Sequence, residues 1–186
     1  AGDICASGSK RQFLSEIGWL GAQKHEWKIF VPGNHDRCVE TNIPWAVNVC
    51  ADHGIKMLID QEINISGIRF YGAPWTPIFM NWAFMQTPED AKRQFSQIPE
   101  CDVLITHGPP HGLFDTCVGR DCSPESVGCP ELLAAVNRIR PKLHLFGHVH
   151  EHGGSVKFDG SVKSANVSVL DSQYQPWEIP IFIHTV

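Results

Sequence analysis

No stretch of this 186-residue chain approaches the roughly 18 consecutive apolar residues needed to cross a bilayer, and no amino-terminal signal peptide is visible. These absences argue against a membrane location and predict a cytoplasmic protein. Dense Lys/Arg clusters are also missing, and 15 basic residues against 20 acidic ones give a net charge of −5. A nucleic-acid polymer is therefore a poor partner, because such partners select broad basic faces. A small nucleotide held locally by a metal remains compatible with this charge. Internal repeats and low-complexity segments are absent too. With 42% hydrophobic and 19% charged residues, the composition is that of one globular domain spanning residues 1–186. An initiator Met is lacking, and the opening Ala1-Gly2-Asp3 reads as a fragment, a processed product or a piece cut from something longer.

Seven cysteines are present, an odd number at irregular spacing. Cys117, Cys122 and Cys129 lie closest together, but their spacing matches no common zinc module, so reduced thiols are expected.

Strand and helix signals alternate through most of the chain. Phe13, Leu14, Ile17 and Leu20 recur at helical spacing within 12–23. A strand is expected over 27–31, a helix over 44–53 with Pro44 at its first position, and a strand over 55–59. A hairpin over 62–71 turns at Ser66-Gly67. Residues 72–88 and 108–128 read as long loops. Helices are expected over 88–97 and 130–140, and strands over 103–106 and 143–146. Beyond Ser155 the pattern turns to β. The runs 156–158 and 162–169 flank the turn pair Asp159-Gly160, and 179–184 reads as a last strand. The fold class is mixed α/β, with helices outside sheets.

Three of these strands end alike. Val31 leads to Gly33-Asn34-His35-Asp36, Thr106 to His107-Gly108, and Phe146 to Gly147-His148-Val149-His150. The carboxyl edge of an open α/β sheet is where ligands bind. The two histidines of Gly-His-Val-His are expected to face the same way on a strand. Imidazole nitrogens with carboxylate and amide oxygens suit manganese, iron or zinc. Any one of these motifs has an ordinary reading as a turn or a satisfied histidine; three in succession point to one shared metal site.

Together with Gly2-Asp3, these motifs resemble the calcineurin-like metallophosphoesterases over nearly the whole chain. Tyr71-Gly72-Ala73-Pro74-Trp75-Thr76-Pro77, Thr106-His107-Gly108-Pro109-Pro110 and Val127-Gly128-Cys129 are similar to the branch of metallophosphoesterase-domain (239AB-like) proteins. That branch is itself similar to class III cyclic-nucleotide phosphodiesterases. The resemblance implies a four-layer αββα sandwich and a two-metal site for divalent manganese, iron (Fe2+/Fe3+) or zinc. Asp3 would bridge both metals; Asn34, His107 and His148 would complete the second, and His150 would serve the first. It also implies phosphodiester hydrolysis by a metal-activated hydroxide, with His35 as general acid and Asp36 orienting it.

The sequence departs from the family pattern at one point. The family's opening strand ends in Asp-x-His, and no such segment precedes Ala1 here. The expectation is a sandwich missing its first strand–helix–strand, with impaired activity and a homodimer covering the exposed edge. An inactive metal- or nucleotide-binding or assembly protein on the same scaffold is the competing reading. His111 and Trp75 are candidate substrate contacts, and Phe79, Trp82 and Phe84 are further aromatics that could stack on a base.

Overall fold

The computed structural model describes residues 1–118 and 123–177. Helix α1 spans Lys10–Gly21, where the Ser9 side chain accepts the Gln12 N–H and starts the helix two residues before the apolar periodicity does. Strand β1 (Lys28–Phe30) leads into a single turn, α2 (Arg37–Glu40), and then α3 (Ile43–Asp52), capped by Asn42. Next come β2 (Ile55–Met57), β3 (Gln61–Ile65) and β4 (Ile68–Ala73). The supposed loop after Gly72 contains a short parallel pair, β5 (Thr76–Pro77) with β6 (Met85–Gln86). Helix α4 (Pro88–Ser96) begins with a Thr87 cap, Pro88, and two acidic residues that complement the helix dipole.

Strand β7 (Val103–Thr106) follows, then a second supposed loop that holds a small antiparallel pair, β8 (Thr116–Val118) and β9 (Pro124–Ser126). Helix α5 (Pro130–Ile139) ends at Arg140 in a left-handed conformation. Strand β10 (Leu143–Phe146) is followed by a 3-10 turn at 150–152 and the hairpin β11 (Val156–Asp159) and β12 (Val162–Asn166). Strand β12 stops three residues short of the sequence expectation. There the Asn166 side chain turns back to accept the Ser168 N–H and donate to the Val149 carbonyl. The strand expected over 179–184 lies outside the described residues.

Among the described residues, a six-stranded sheet of order β11-β12-β10-β7-β4-β3 forms the larger layer; its four inner strands are parallel and the hairpins β11–β12 and β3–β4 are antiparallel. The smaller layer is the parallel pair β1–β2. Alternation along β4 shows how the layers stack. Tyr71 and Ala73 pack with Phe95 of α4 and Leu132 and Val136 of α5. Gly72 faces the other way, where a Cβ would lie 2.8 Å from Val31 Cγ2 and still closer to Leu58, so only glycine lets the two sheets meet there. On the far side of β1–β2, Phe13 and Ile17 of α1 and Ala46 and Cys50 of α3 pack on Phe30, Ile55 and Met57. The result is helix–sheet–sheet–helix layering. Among the described residues no helix is long and apolar enough to cross a membrane.

Among the described residues of the larger sheet, His144 is a polar liability. Thr106 Oγ1 donates to the Gly108 carbonyl at 2.8 Å, so at 2.9 Å it accepts the Nε2–H of His144. That leaves Nδ1 of His144 buried without a partner, and burial pulls the imidazole pKa down to about 3. An unfolded chain takes this proton near 6.5, whereas the fold resists it. This stability is full above pH 6.5 and is lost toward pH 3 at about 1.4 kcal/mol per pH unit. His144→Leu should therefore move the acid-unfolding midpoint, followed by circular dichroism, to lower pH while leaving Thr106 paired to Gly108. An unchanged midpoint would mean that His144 does not limit acid stability.

Candidate metal centre

Strands β7 and β10 are parallel neighbours, so the turns that leave them lie side by side, and the Gly147 N–H donates to the His107 carbonyl at 2.9 Å. This juxtaposition brings the rings of His107 and His148 to 4.8 Å, centroid to centroid. Residues 33–36 follow β1 from the other sheet, so the centre is assembled across two sheets and not along the edge of one. Residues 1–5 run between them. Asp3, His107 and His148 each offer a ligand atom, and these atoms lie within 4.8 Å of one another. Asn34 Oδ1 is 2.7 Å from His107 Nε2, and Asp3 Oδ2 is 3.3 Å from the same nitrogen. Gly33 permits the closeness, since a side chain there would strike Asp3 and the His107 ring. Both Asp3 (φ 55°) and His148 (φ 69°) hold left-handed backbones, which costs a non-glycine residue about 1–2 kcal/mol each.

The electrostatics are those of a cation site. Burial alone would raise the Asp3 pKa, but the charge and hydrogen bond of His107 and the His35 N–H outweigh it and hold the carboxyl well below the usual carboxylate range. Burial would likewise lower the His107 pKa, and Asp3 reverses this and raises it. His148 is pulled down to about 3, chiefly by burial and then by the neighbouring His107 charge. It therefore stays neutral, with its lone pair available.

His35 stands at the mouth of the site. Its N–H donates to Asp3 Oδ1 at 2.8 Å, and its ring Nδ1 lies 2.8 Å from the Ala6 carbonyl. A carbonyl only accepts, so Nδ1 carries hydrogen and Nε2 is left for the cleft. The expected role of Asp36 is corrected here. Both of its oxygens are taken by backbone N–H groups, Oδ1 by Cys5 at 2.9 Å and Oδ2 by Gly33 at 2.8 Å, so it braces two turns and does not orient the His35 ring. A carboxylate beneath a tight turn serves the nearest backbone donors.

The two histidines of Gly-His-Val-His do not share a strand face. His148 sits in a left-handed turn and His150 opens the 3-10 turn. His150 is outside the Asp3–His107–His148 group, with Nδ1 3.1 Å from the Asp171 carbonyl and its ring edge-on to Tyr174, although it lines the same cleft. That cleft has a volume of about 450 Å³, and Phe79, Met80, Trp82 and Tyr174 form its apolar wall.

The sequence reading named Phe79 and Trp82 among its candidate aromatics and missed Met80 and Tyr174, which carry no motif. The structure does not bring Trp75, Phe84 or His111 to the cleft. Trp75 donates Nε1–H to Asp60 at 2.7 Å and packs on Phe84, which is fully buried. His111 lines a separate cavity of about 230 Å³ and faces Ser126 and Asp115. Of the three grouped cysteines, Cys129 is buried, Cys117 is half-buried, and Cys122 lies outside the described residues.

Because Asp36 ties two turns together, Asp36→Ala should unpair two buried N–H groups and destabilise the fold by about 2–5 kcal/mol. The measurement is the urea midpoint, which should fall far more for Asp36→Ala than for His35→Ala. Equal midpoints would show that Asp36 is not a brace.

Residues 1–152 match the family described as Calcineurin-like phosphoesterase. Among curated proteins, the chain is 33% identical over 207 residues to the human Metallophosphoesterase domain-containing protein 1, covering 98% of this chain and 62% of that one. It is 30% identical over 221 residues to the UPF0046 protein T07D4.2 of Caenorhabditis elegans, covering 100% of this chain and 54% of that one. The chain thus spans less than two thirds of each relative. Among solved structures, TT1561 of Thermus thermophilus superposes with a TM-score of 0.63 at 16% identity, covering 90% of this chain and 74% of that one. The Phosphopantetheinyl Hydrolase of Mycobacterium tuberculosis gives a TM-score of 0.62 at 14% identity, with coverages of 94% and 79%; both likenesses concern the fold. With a family match over more than half its length and a centre of two histidines, an aspartate and an asparagine where two sheets meet, this chain belongs to the calcineurin-like phosphoesterases.

Proposed function

We propose that the cleft hydrolyses small phosphodiesters of the nucleotide kind, with His35 as the proton donor to the leaving oxygen. The observation that carries this reading is the meeting of Asp3, His107 and His148 beside a His35 ring whose Nε2 is left free. The donor set suits a divalent cation, because His107 Nε2 already faces two acceptor oxygens, and a cation can satisfy them as the proton does. Asp3, Asn34, His107 and His148 would hold it. When bound, it offsets phosphate charge and makes water more acidic.

The protein's own part is positional. Nδ1–H of His107 donates to the Ala1 carbonyl at 2.9 Å, which fixes the ring with Nε2 toward the oxygens. The cleft, at about 450 Å³, has room for a small ester. His35 presents Nε2 at the mouth, where a proton can pass to an alkoxide, a role worth typically 10²–10⁴-fold. His150, outside the tight group, gives a second cation fewer donors, which favours one bound cation over two and weak activity in this chain.

His35→Ala should lower kcat with manganese by about 10²-fold or more, while the manganese dissociation constant stays within a few-fold. Parallel loss of metal would make His35 a ligand and sink its assignment as proton donor. Calorimetric titration should show one manganese bound with high affinity. Because proton and metal compete for His107 Nε2, that affinity should fall as pH drops below the raised His107 pKa, by up to about tenfold per pH unit. His148, neutral down to about pH 3, adds nothing to this slope between pH 5 and 8. A pH-independent affinity would remove His107 from the ligand set.

A further inference from the structure

We infer that Trp82 is a positioning residue for His35, holding the imidazole so that Nε2 meets the leaving oxygen. This inference rests on the reading of His35 as proton donor. The hydrogen bond from Nδ1–H to the Ala6 carbonyl pins the ring at one point and selects its tautomer, but the ring can still swing about that point. A second support is needed to aim Nε2. Trp82 supplies it, with its indole lying against the imidazole at 4.4 Å between centroids and 35° between planes.

The indole is itself anchored to the segment that carries His35. The Ala83 N–H donates to the Asn34 carbonyl at 3.1 Å, and the Phe84 N–H donates to Glu40 Oε1 at 2.6 Å. Arg37 donates from Nη2 to the Asn81 carbonyl, and its guanidinium carbon lies 5.2 Å from the Trp82 ring centroid. Three ties therefore join residues 81–84 to residues 34–40 on either side of the stacked pair. Trp82 and His35 are thus carried on segments tied to each other, and both face the cleft.

The chemistry explains why aim matters. His35 enters the step protonated on both ring nitrogens. Water adds to phosphorus as the bond from phosphorus to the leaving oxygen breaks, the electron pair of that bond stays on the leaving oxygen, and this oxygen takes the proton from Nε2. His35 is left neutral with hydrogen on Nδ1, the tautomer that the Ala6 carbonyl prefers. A nitrophenolate leaving group barely needs this proton, whereas an alkoxide does. A wall that only touched substrate would change KM for both kinds of ester. A residue that aims the donor changes kcat, and changes it more for the alkoxide.

The test uses the full chain with manganese and two substrates, bis(p-nitrophenyl) phosphate and 2′,3′-cyclic AMP. Trp82→Leu should lower kcat on the cyclic ester at least tenfold and on the nitrophenyl ester less than threefold, with KM for each within threefold. Trp82→Phe, which keeps a stacked ring, should restore most of the loss. Arg37→Met, which loosens the anchoring without touching the donor, should give a smaller loss of the same selectivity, and it decides the matter if Trp82→Leu does not fold.

A readout independent of turnover is the long-range proton–nitrogen spectrum of the His35 ring. It should show the Nδ1–H tautomer in both chains, because the Ala6 carbonyl selects it, with sharp ring resonances in the parent chain and exchange-broadened ones in Trp82→Leu, where the ring swings. Loss confined to KM, or an unchanged ring spectrum, would overturn the inference. His35→Ala measured alongside separates the two claims. If His35→Ala is not leaving-group selective, the proton-donor reading fails. If it is selective and Trp82→Leu is not, only the positioning role of Trp82 fails.

Discussion

The buried carboxylate of Asp36 is the joint on which the centre depends. Its two oxygens accept N–H groups from Gly33 and Cys5, residues on segments that are 28 positions apart in the chain numbering. This fixes the turn bearing Asn34 and His35 against the segment bearing Asp3. Burial and the nearby Asp3 charge both push the Asp36 pKa up, and the two N–H groups oppose them. A charged group so deep is tolerated because each oxygen has a donor, as buried polar groups require.

From that joint the electrostatics follow in order. Asp3 is held ionised by His107, and Asp3 in turn raises the hold of His107 on its proton. His148 is kept neutral beside them by burial. The arrangement concentrates negative oxygen and free nitrogen in one place and accepts left-handed backbones at Asp3 and His148 to do so. Strain of this kind persists where the surrounding structure over-determines it. Here the surroundings are two sheets pressed together through Gly72 and a His107 ring fixed by the Ala1 carbonyl.

The aromatic wall has a different origin. Residues 79–84 carry no periodicity that would reveal their contacts, yet four of them, Asn81, Trp82, Ala83 and Phe84, hydrogen-bond or stack onto residues 34–40, which follow β1. The inner end of this segment, Phe84, is core; its outer members, Phe79 and Trp82, face the cleft. One short stretch thus stabilises the smaller layer and shapes the opening above the metal-ligand group.

The sequence by itself determined the succession of helices and strands, the mixed α/β class, and the three strand-end motifs. Each of these depends on local rules: apolar spacing, proline and glycine punctuation, and caps such as Thr87 and Asn42. Its failures were those of non-local pairing. The short pairs β5–β6 and β8–β9 lay hidden in Gly/Pro-rich stretches, because two or three residues form a strand only when a distant partner is present. Only the tertiary structure decided what the motif residues do. Asp36 looked like an orienting group for His35 until its oxygens were seen to serve Cys5 and Gly33. His148 and His150 were expected to face the same way at two-residue spacing until a left-handed turn separated them. Trp75 and Trp82 were interchangeable as letters, and packing sent one to Asp60 and the other to His35. A side chain's chemistry is written in the chain, but its neighbours are set by three-dimensional packing across segments far apart in sequence.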